Sequence, residues 1–207
     1  MTTADISTGF FARHLATTPV IGIFRGQDPA TTVELCRHAW DFGVDLVEIP
    51  VQSDSALPSL EAAVDAARRH GKQVGAGTVT TVRRLRAVQE IGAAFTVAPG
   101  LHPDVVEASV DAGLPHLPGV ATATEIAAAL AMGHTWLKAF PAQQLGTDWI
   151  TAHLAPFPDI RIVATGGVDA HNAADFLSAG CAAIAVGSAL TDRDTLPLLR
   201  KAVSPVH

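Results

Sequence analysis

Short apolar runs recur along the chain at intervals of roughly 20 to 25 residues, and each is followed by a stretch with helical periodicity. Most of these runs lack the alternation of apolar and polar residues, which is typical of parallel strands that are covered on both faces. The pattern predicts eight strands, over residues 19–24, 44–50, 72–77, 93–99, 114–119, 135–140, 160–165 and 182–187.

The segments between the runs have the pattern of amphipathic helices, and several of them end at a glycine that favours a left-handed C-terminal cap. Eight strand–helix repeats predict an α/β protein, a single (β/α)8 TIM barrel that spans residues 1–207 as one domain. Residues 5–17 predict an additional N-terminal helix that covers the N-terminal end of the barrel. A doubly wound open sheet is the alternative, but IFRGQDP replaces the glycine fingerprint expected after its first strand. The predicted helix-ending glycines are Gly43, Gly71, Gly92, Gly113, Gly133 and Gly180.

Composition narrows the class of protein further. The chain is 48% hydrophobic and 16% charged, which supports a large core and does not fit a disordered chain. The net charge of −6 argues against a nucleic-acid partner and against a membrane-surface partner. The sequence has no secretory signal pattern and no run of ~18 apolar residues, so we expect a cytoplasmic protein. We expect Cys36 and Cys181 to be buried thiols. The nine histidines show no metal-ligand spacing, so we expect neither a metal nor another cofactor.

Lysine usage is the sharpest clue to the chemistry, because the active site of such a barrel lies at the C-terminal ends of its strands. The chain has eleven arginines but only three lysines, Lys72, Lys138 and Lys201. Lys138 lies at the end of the sixth predicted strand among apolar residues (TWLKAFP), where burial favours the free amine that attacks a ketone. The alternative is a lysine whose stem extends to solvent, which is what we expect for Lys72 and Lys201.

Polar residues at the ends of the first four predicted strands supply further candidates. Glu48, in LVEIP, is placed to face the barrel interior and to act as a general acid and base, and the alternative is a buried salt bridge, for example to Arg25. Arg25, in IFRG, is a candidate clamp for a substrate carboxylate because the planar guanidinium matches that group, and the alternative is a surface arginine. Thr78 and Pro99 are expected to line the mouth of the same site.

Two glycine-containing turns, ATGGV and VGSAL, follow the seventh and eighth predicted strands. Barrels often bind phosphate after these two strands, through exposed backbone N–H groups. The turns therefore predict a phosphate site formed by Gly166, Gly167, Gly187 and Ser188, with the Ser188 hydroxyl as an additional donor.

The sequence resembles the 2-keto-3-deoxy-6-phosphogluconate (KDPG)/4-hydroxy-2-oxoglutarate (KHG) aldolase family of pyruvate-forming class I aldolases. The resemblance covers about residues 18–190 and rests on the segments VEIP, GAGTV, APGL, PGVATATE, LKAFP, ATGGV and VGSAL. It implies that Lys138 forms a Schiff base, that Glu48 carries protons, and that the two glycine turns bind phosphate. It also implies a homotrimer and a substrate pocket lined by Thr78, Pro99, Phe140 and Thr165.

One departure concerns the substrate carboxylate. Many phosphogluconate-type members have a carboxylate-binding arginine where this chain has Gln52. This difference makes the sequence similar to the 2-keto-3-deoxy-6-phosphogalactonate (KDPGal) branch, in which an arginine on the first strand, here Arg25, takes that role. Thr165 is instead similar to the phosphogluconate branch, so the sugar epimer stays open.

The resemblance implies cleavage of KDPG or KDPGal to pyruvate and glyceraldehyde 3-phosphate. Cleavage of KHG to pyruvate and glyoxylate is the alternative within the family. Outside the family, the same barrel could belong to a metal-dependent pyruvate aldolase, a phosphosugar isomerase or a non-catalytic phosphate-binding protein. No motif of histidine and carboxylate supports a metal-dependent aldolase. A phosphosugar isomerase does not need a desolvated lysine on the sixth strand. A non-catalytic phosphate-binding protein would tolerate loss of Lys138.

Overall fold

A computed structural model of the chain describes residues 3–204. Its nine strands are all parallel and are joined in the order β5-β4-β3-β2-β1-β9-β8-β7-β6. The strands are β1 (Val20–Ile23), β2 (Leu46–Pro50), β3 (Gln73–Gly77), β4 (Thr96–Val97), β5 (His116–Leu117), β6 (Gly119–Val120), β7 (Trp136–Ala139), β8 (Arg161–Thr165) and β9 (Ala183–Val186).

The barrel closes through a strand that proline divides in two. β5 and β6 lie at opposite ends of the strand order, yet only Pro118 separates them in sequence. Proline has no N–H to donate, so the ladder is interrupted there. The carbonyl of Pro118 still accepts the N–H of Lys138 at 2.9 Å, and the carbonyl of Leu117 accepts the N–H of Ala98 at 3.1 Å. β5 and β6 together are therefore the fifth predicted strand, and the predicted (β/α)8 barrel is confirmed.

Helices connect the strands and cover the outside of the barrel. The six glycines predicted to end helices all have positive φ. At the start of α2 the Asp28 carboxylate accepts the N–H groups of Ala30 and Thr31 at 3.0 and 3.1 Å, as expected of an N-cap. Two short 3-10 helices cover Asp54–Ala56 and Ser188–Leu190. The α-helices are α1 (Thr3–His14), α2 (Pro29–Phe42), α3 (Leu57–His70), α4 (Val82–Ile91), α5 (Pro103–Asp111), α6 (Ala123–Ala131), α7 (Ala142–Leu154), α8 (Ala173–Ser178) and α9 (Leu196–Val203).

Two apolar layers form the core, because successive side chains of a strand point to opposite faces. On β2, Val47 and Ile49 pack with the buried faces of the helices, whereas Leu46 belongs to the cluster inside the barrel. Strands that are apolar on both faces thus explain why the sequence lacks alternation. The interior cluster is made of Phe11, Leu15, Ile21, Leu46, Phe95, Val97, Leu117, Trp136, Val163, Ala183 and Ala185.

Helix α1 covers the N-terminal end of the barrel, which confirms the additional helix predicted over residues 5–17. The Phe11 side chain is fully buried, and its ring centroid lies 5.8 Å from that of Phe95 and 6.0 Å from that of Trp136. Burying a phenylalanine of this kind stabilises the fold by roughly 1.5–3 kcal/mol. A hydrogen bond of 2.9 Å between the hydroxyls of Thr8 and Thr135 adds a polar contact between α1 and the barrel.

Lys72 differs from the sequence prediction of a solvated lysine. Its amine lies 3.2 Å from the carboxylate of Asp45, which also pairs with His14 of α1. Burial alone raises the pKa of Asp45, but the hydrogen bonds from His14 and Lys72 outweigh burial and hold that pKa below its ordinary value. The pairing follows from tertiary structure, since Lys72, His14 and Asp45 lie in separate segments that meet only in the folded chain.

Both cysteines are buried, as predicted, and burial raises the pKa of each thiol to about 12. Thiols of this kind stay protonated at neutral pH and react poorly.

Among residues 3–204, no helix combines the length and the apolar character required to cross a membrane.

A buried polar cluster lies around His116 on β5. Its ring Nδ1 lies 2.8 Å from the hydroxyl of Thr96, and its backbone N–H donates to the hydroxyl of Ser7 at 3.1 Å. Nε2 of His116 and Nδ1 of His134 are buried and have no partner among the described residues. Burial lowers the pKa of His116 to about 3, and the neighbouring His134 adds to this lowering. Burial also lowers the pKa of His134.

These two histidines predict that the chain loses stability in weak acid. Both rings are neutral in the folded state, whereas the unfolded chain takes up protons below the ordinary histidine pKa of 6.5. The stability that they contribute is therefore fully present above pH 6.5 and is lost as the pH falls toward about 3. By about pH 5 a single such histidine lowers the free energy of unfolding by about 2 kcal/mol. Denaturant titrations between about pH 7.5 and pH 5 measure this loss.

The substitution His116→Gln removes one of the titrating rings and should make the loss of stability between these pH values smaller. His38→Gln is the matched control, because His38 is exposed. A His116→Gln variant whose free energy of unfolding falls with pH as steeply as that of the unmodified chain would contradict this explanation.

Candidate active site

Glu48 and Lys138 face the interior of the barrel from opposite walls. Glu48 lies two residues after Leu46 on β2, and Lys138 lies two residues after Trp136 on β7. Leu46 and Trp136 belong to the cluster inside the barrel, and residues two apart on a strand point to the same side. β1, β9 and β8 separate β2 from β7 on one side of the barrel, and β3, β4 and the divided fifth strand separate them on the other. Both side chains therefore point into the barrel interior, beyond the apolar cluster and toward the C-terminal ends of the strands.

Lys138 is 5% exposed and has no counter-ion or hydrogen-bond partner for its amine among the described residues. Its Nζ lies 5.0 Å from the ring centroid of Phe140, a distance at which an aromatic face attracts a cation. Although Nζ has no hydrogen-bond partner, it is not one of the fully buried, unpartnered polar atoms of residues 3–204. Part of its surface is therefore still accessible to solvent. This burial does not fit a lysine that extends into bulk water.

Glu48 is 2% exposed, and its carboxylate forms no ion pair within the described chain, either with Arg25 or with another cation. The side chain bends across β3 at Gly77. A Cβ on Gly77 would lie 2.6 Å from Cδ and 2.8 Å from Cγ of Glu48, closer than real Cβ atoms approach other atoms. The carboxylate therefore occupies space that exists only because residue 77 has no side chain.

Gly77 was not predicted as a functional residue from the sequence, although it lies in the segment GAGTV, directly before Thr78. The available signal was a glycine at the end of a strand, which often marks a close approach of another group to the backbone. That signal does not identify the approaching group, because β2 and β3 are neighbours in the barrel but are separated along the chain.

The other predicted lining residues lie at the C-terminal ends of their strands. Thr78 follows β3 with a φ of +60°, an uncommon backbone conformation for threonine and a form of strain often found at functional sites. Thr165, the last residue of β8, is buried, whereas Thr78, Pro99 and Phe140 are partly buried. The structure thus brings these four residues to the end of the barrel at which Glu48 and Lys138 lie.

The two glycine turns occupy the same end of the barrel, after β8 and β9. Gly166 and Gly167 have φ values of +94° and +74°. In the part of the chain that the structure describes, no acceptor is found for the backbone N–H groups of Gly166, Gly167, Gly187 and Ser188. Gly167 and Ser188 are exposed, so a ligand can reach these donors. Such donors suit an anion.

Arg25 follows β1 by two residues and is exposed, with no ion-pair partner among residues 3–204. A cleft of about 230 Å³ beside it, at the ends of β1 and β2, is lined in part by Gln27, Gln52 and Ser53.

A larger cleft of about 740 Å³ lies between α8, α9 and the segment that follows α1, and none of the predicted site residues lines it. The described residues contain no group of three or more His, Cys, Asp or Glu side chains that could hold a metal ion.

The fold and this arrangement define a TIM barrel with a buried, unpaired lysine and a carboxylate at its C-terminal end. The family model "Aldolase: KDPG and KHG aldolase" matches residues 12–199. The chain therefore belongs to the KDPG and KHG aldolase family, and it is a lyase.

Individual relatives support the same assignment. The chain is 38% identical to the 2-dehydro-3-deoxy-6-phosphogalactonate aldolase of Escherichia coli, over 83% of this chain and 84% of that one. It is 37% identical to the 2-dehydro-3-deoxy-phosphogluconate aldolase of Treponema pallidum, over 77% and 74%. The crystal structure of the 2-keto-3-deoxy-6-phosphogluconate aldolase of Zymomonas mobilis with 3-phosphoglycerate superposes with a TM-score of 0.81 at 25% identity, over 95% and 96% of the two chains.

The contact between Glu48 and Gly77 generates a prediction about activity. Gly77→Ala places a methyl group where the Glu48 side chain lies and should displace the carboxylate from its position opposite Lys138. The sequence predicts that Glu48 is a general acid and base, a role that contributes about 10²- to 10⁴-fold, so we expect kcat of the aldolase reaction to fall by about 10²-fold or more. The measurement is pyruvate release, together with thermal melting to verify the fold.

Gly9→Ala is the control, because a Cβ at Gly9 meets nothing within 4 Å. It should leave kcat unchanged. A folded Gly77→Ala variant with the kcat of the unmodified chain would show that the position of Glu48 does not matter.

Proposed function

We propose that this chain is a class I aldolase that cleaves KDPG or KDPGal to pyruvate and glyceraldehyde 3-phosphate through a Schiff base on Lys138. The observation that carries the proposal is the buried Lys138 amine without a counter-ion, on the barrel wall opposite the buried carboxylate of Glu48. The names of the Escherichia coli and Treponema pallidum relatives support the two sugar acids.

The first step is formation of the imine. The free amine of Lys138 attacks the C2 keto carbon of the substrate, and loss of water with uptake of one proton gives a protonated imine. No ion pair holds the amine, so it is free to contact the keto carbon, and its unprotonated form has the lone pair that attacks. The positive imine nitrogen then withdraws electrons from the neighbouring carbon.

Bond cleavage and proton transfer follow. Glu48, directly or through a water molecule, removes the proton of the C4 hydroxyl as the C3–C4 bond breaks. The electron pair of that bond moves toward the imine and forms an enamine, while C4 leaves as the aldehyde carbon of glyceraldehyde 3-phosphate. Glu48 then returns a proton to C3, and water hydrolyses the protonated imine to free pyruvate and Lys138, with release of the proton taken up in the first step.

Binding groups surround this centre. The N–H groups of Gly166, Gly167, Gly187 and Ser188 bind the phosphate, and the Arg25 guanidinium binds the substrate carboxylate. Thr78, Pro99, Phe140 and Thr165 line the pocket between them. The relative from Zymomonas mobilis was solved with 3-phosphoglycerate, a small phosphorylated acid, which supports a ligand of this class.

The sugar epimer is a separate question, because Gln52 favours KDPGal and Thr165 favours KDPG. Rates of pyruvate release from KDPG, KDPGal and KHG, measured side by side, decide between them.

We further propose that residues 1–207 form one domain and that the protein is a cytoplasmic homotrimer. We also propose that it needs no cofactor, so that a chelator leaves turnover unchanged. The family resemblance supports the trimer, and light scattering measures it.

The Schiff base predicts a specific covalent product. Incubation with pyruvate and borohydride should reduce the imine to a stable adduct, and mass spectrometry of peptides should locate it on Lys138. Lys138→Ala should form no adduct and should lose turnover by roughly a thousandfold or more, because the nucleophile is removed.

The chain supplies matched controls, since its other two lysines are Lys72 and Lys201. Lys72→Arg and Lys201→Arg keep the charge and should form the adduct normally. Full turnover of Lys138→Ala, or an adduct on another lysine of the unmodified chain, would refute the proposal.

The role of Arg25 predicts a defect in binding. Arg25→Gln removes the fork that pairs with a carboxylate and should raise KM for the keto acid by roughly ten- to a hundredfold. Arg193→Gln is the control, because Arg193 is also exposed but lies beyond η2, the 3-10 helix Ser188–Leu190. Equal KM values for the two variants would remove Arg25 from the site.

A further inference from the structure

The glycine turn after β8 needs to be held in place, because two consecutive glycines are conformationally loose. Gly166 and Gly167 both have positive φ, which glycine adopts readily but does not maintain without support. If the turn binds phosphate through its N–H groups, their directions must be fixed by other contacts of the turn.

Both glycine carbonyls are held by hydrogen bonds from outside the turn. The N–H of Gln143, at the start of α7, donates to the carbonyl of Gly166 at 3.0 Å. The side-chain Nδ2 of Asn172, which precedes α8, donates to the carbonyl of Gly167 at 2.8 Å. Each carbonyl of the turn thus has a partner that fixes its direction.

The orientation of the carbonyls fixes the orientation of the N–H groups. In a trans peptide unit the C=O of one residue and the N–H of the next point in opposite directions. The bond from Gln143 therefore turns the N–H of Gly167 away from α7, and the bond from Asn172 turns the N–H of Val168 away from α8. Neither N–H has an acceptor among the described residues.

Asn172 is itself fixed by a reciprocal pair of bonds with Asp169. Its Oδ1 accepts the N–H of Asp169 at 2.9 Å, and its own N–H donates to the Asp169 carboxylate at 3.2 Å. The carboxylate also accepts the N–H of His171 at 2.8 Å. Because Oδ1 is used as the acceptor, Nδ2 is the atom that faces Gly167, and the direction of the amide is set by this network.

The side chain of Gln143 lies across the same turn. A Cβ on Gly167 would lie 2.5 Å from Cβ and 2.9 Å from Cδ of Gln143. Glycine at position 167 thus lets Gln143 pack against the backbone, and the segment after β7 supports the turn after β8. The start of α7 and the glycine turn are connected by this contact.

We infer that Asn172 and Gln143 are positioning residues that orient the peptide units of Gly166 and Gly167 for an anion. The inference rests on the proposed function, in which this turn binds the substrate phosphate. Asn172 acts through one side-chain hydrogen bond, so its loss should weaken phosphate binding by about tenfold.

Asn172→Ala is the decisive variant, and Asp169→Ala is its matched control. Each substitution breaks one of the two bonds between positions 169 and 172: Asn172→Ala removes the acceptor of the Asp169 N–H, and Asp169→Ala removes the acceptor of the Asn172 N–H. Only Asn172→Ala releases the carbonyl of Gly167. With the phosphorylated substrate, Asn172→Ala should raise KM about tenfold with little change in kcat, and Asp169→Ala should raise it much less. KM for KHG, which has no phosphate, should not change in either variant.

A titration with inorganic phosphate, followed by NMR at the amides of Gly167 and Ser188, separates this inference from the proposed function. We expect phosphate to shift both signals in the unmodified chain, and Asn172→Ala to need about tenfold more phosphate. Equal phosphate affinity for the unmodified chain and Asn172→Ala, or an equal rise in KM for KHG, would overturn the positioning role alone. No phosphate-dependent shift in the unmodified chain would overturn the phosphate site, and the inference with it.

Discussion

The burial of the Lys138 amine without a counter-ion is the constraint on which the rest of the site depends. The side chain is almost fully buried and no carboxylate lies beside its amine, so the amine stays available to a substrate that enters the barrel. The barrel creates this environment in a simple way. Trp136 and the other interior residues close the space below Lys138, helix α1 closes the N-terminal end, and access remains from the C-terminal end.

Close backbone approaches give the site its shape. Glu48 occupies the space beside Gly77, Gln143 packs over Gly167, and a Cβ on Gly119 would meet the backbone of Gly100 at 2.6 Å. In each case a missing side chain admits a group from a neighbouring segment. The glycines of this barrel therefore determine where functional groups lie, in addition to ending helices.

Much of the fold, and the location of Lys138 and Glu48 toward the C-terminal end of the barrel, could be predicted from the sequence, because they depend on local patterns. The apolar runs define the strands, and the position of Lys138 at the end of one such run follows from its apolar neighbours. Contacts between distant segments could not be predicted, since they leave no local signal. The ion pair of Lys72 with Asp45 and the bond from Asn172 to Gly167 are of this kind. The division of the fifth strand at Pro118 was visible as a proline, but the predicted run did not separate its two parts.

A crystal structure of the Glu48→Gln variant with bound pyruvate tests the role of Lys138 most directly, because loss of the proton carrier should allow the imine to accumulate. We expect continuous density between Nζ of Lys138 and C2 of pyruvate, with the side chain at position 48 beside C3 and the glycine turns free for phosphate. Pyruvate bound in the barrel without a bond to Lys138, or an amine at position 138 turned out into bulk water, would contradict the Schiff-base mechanism.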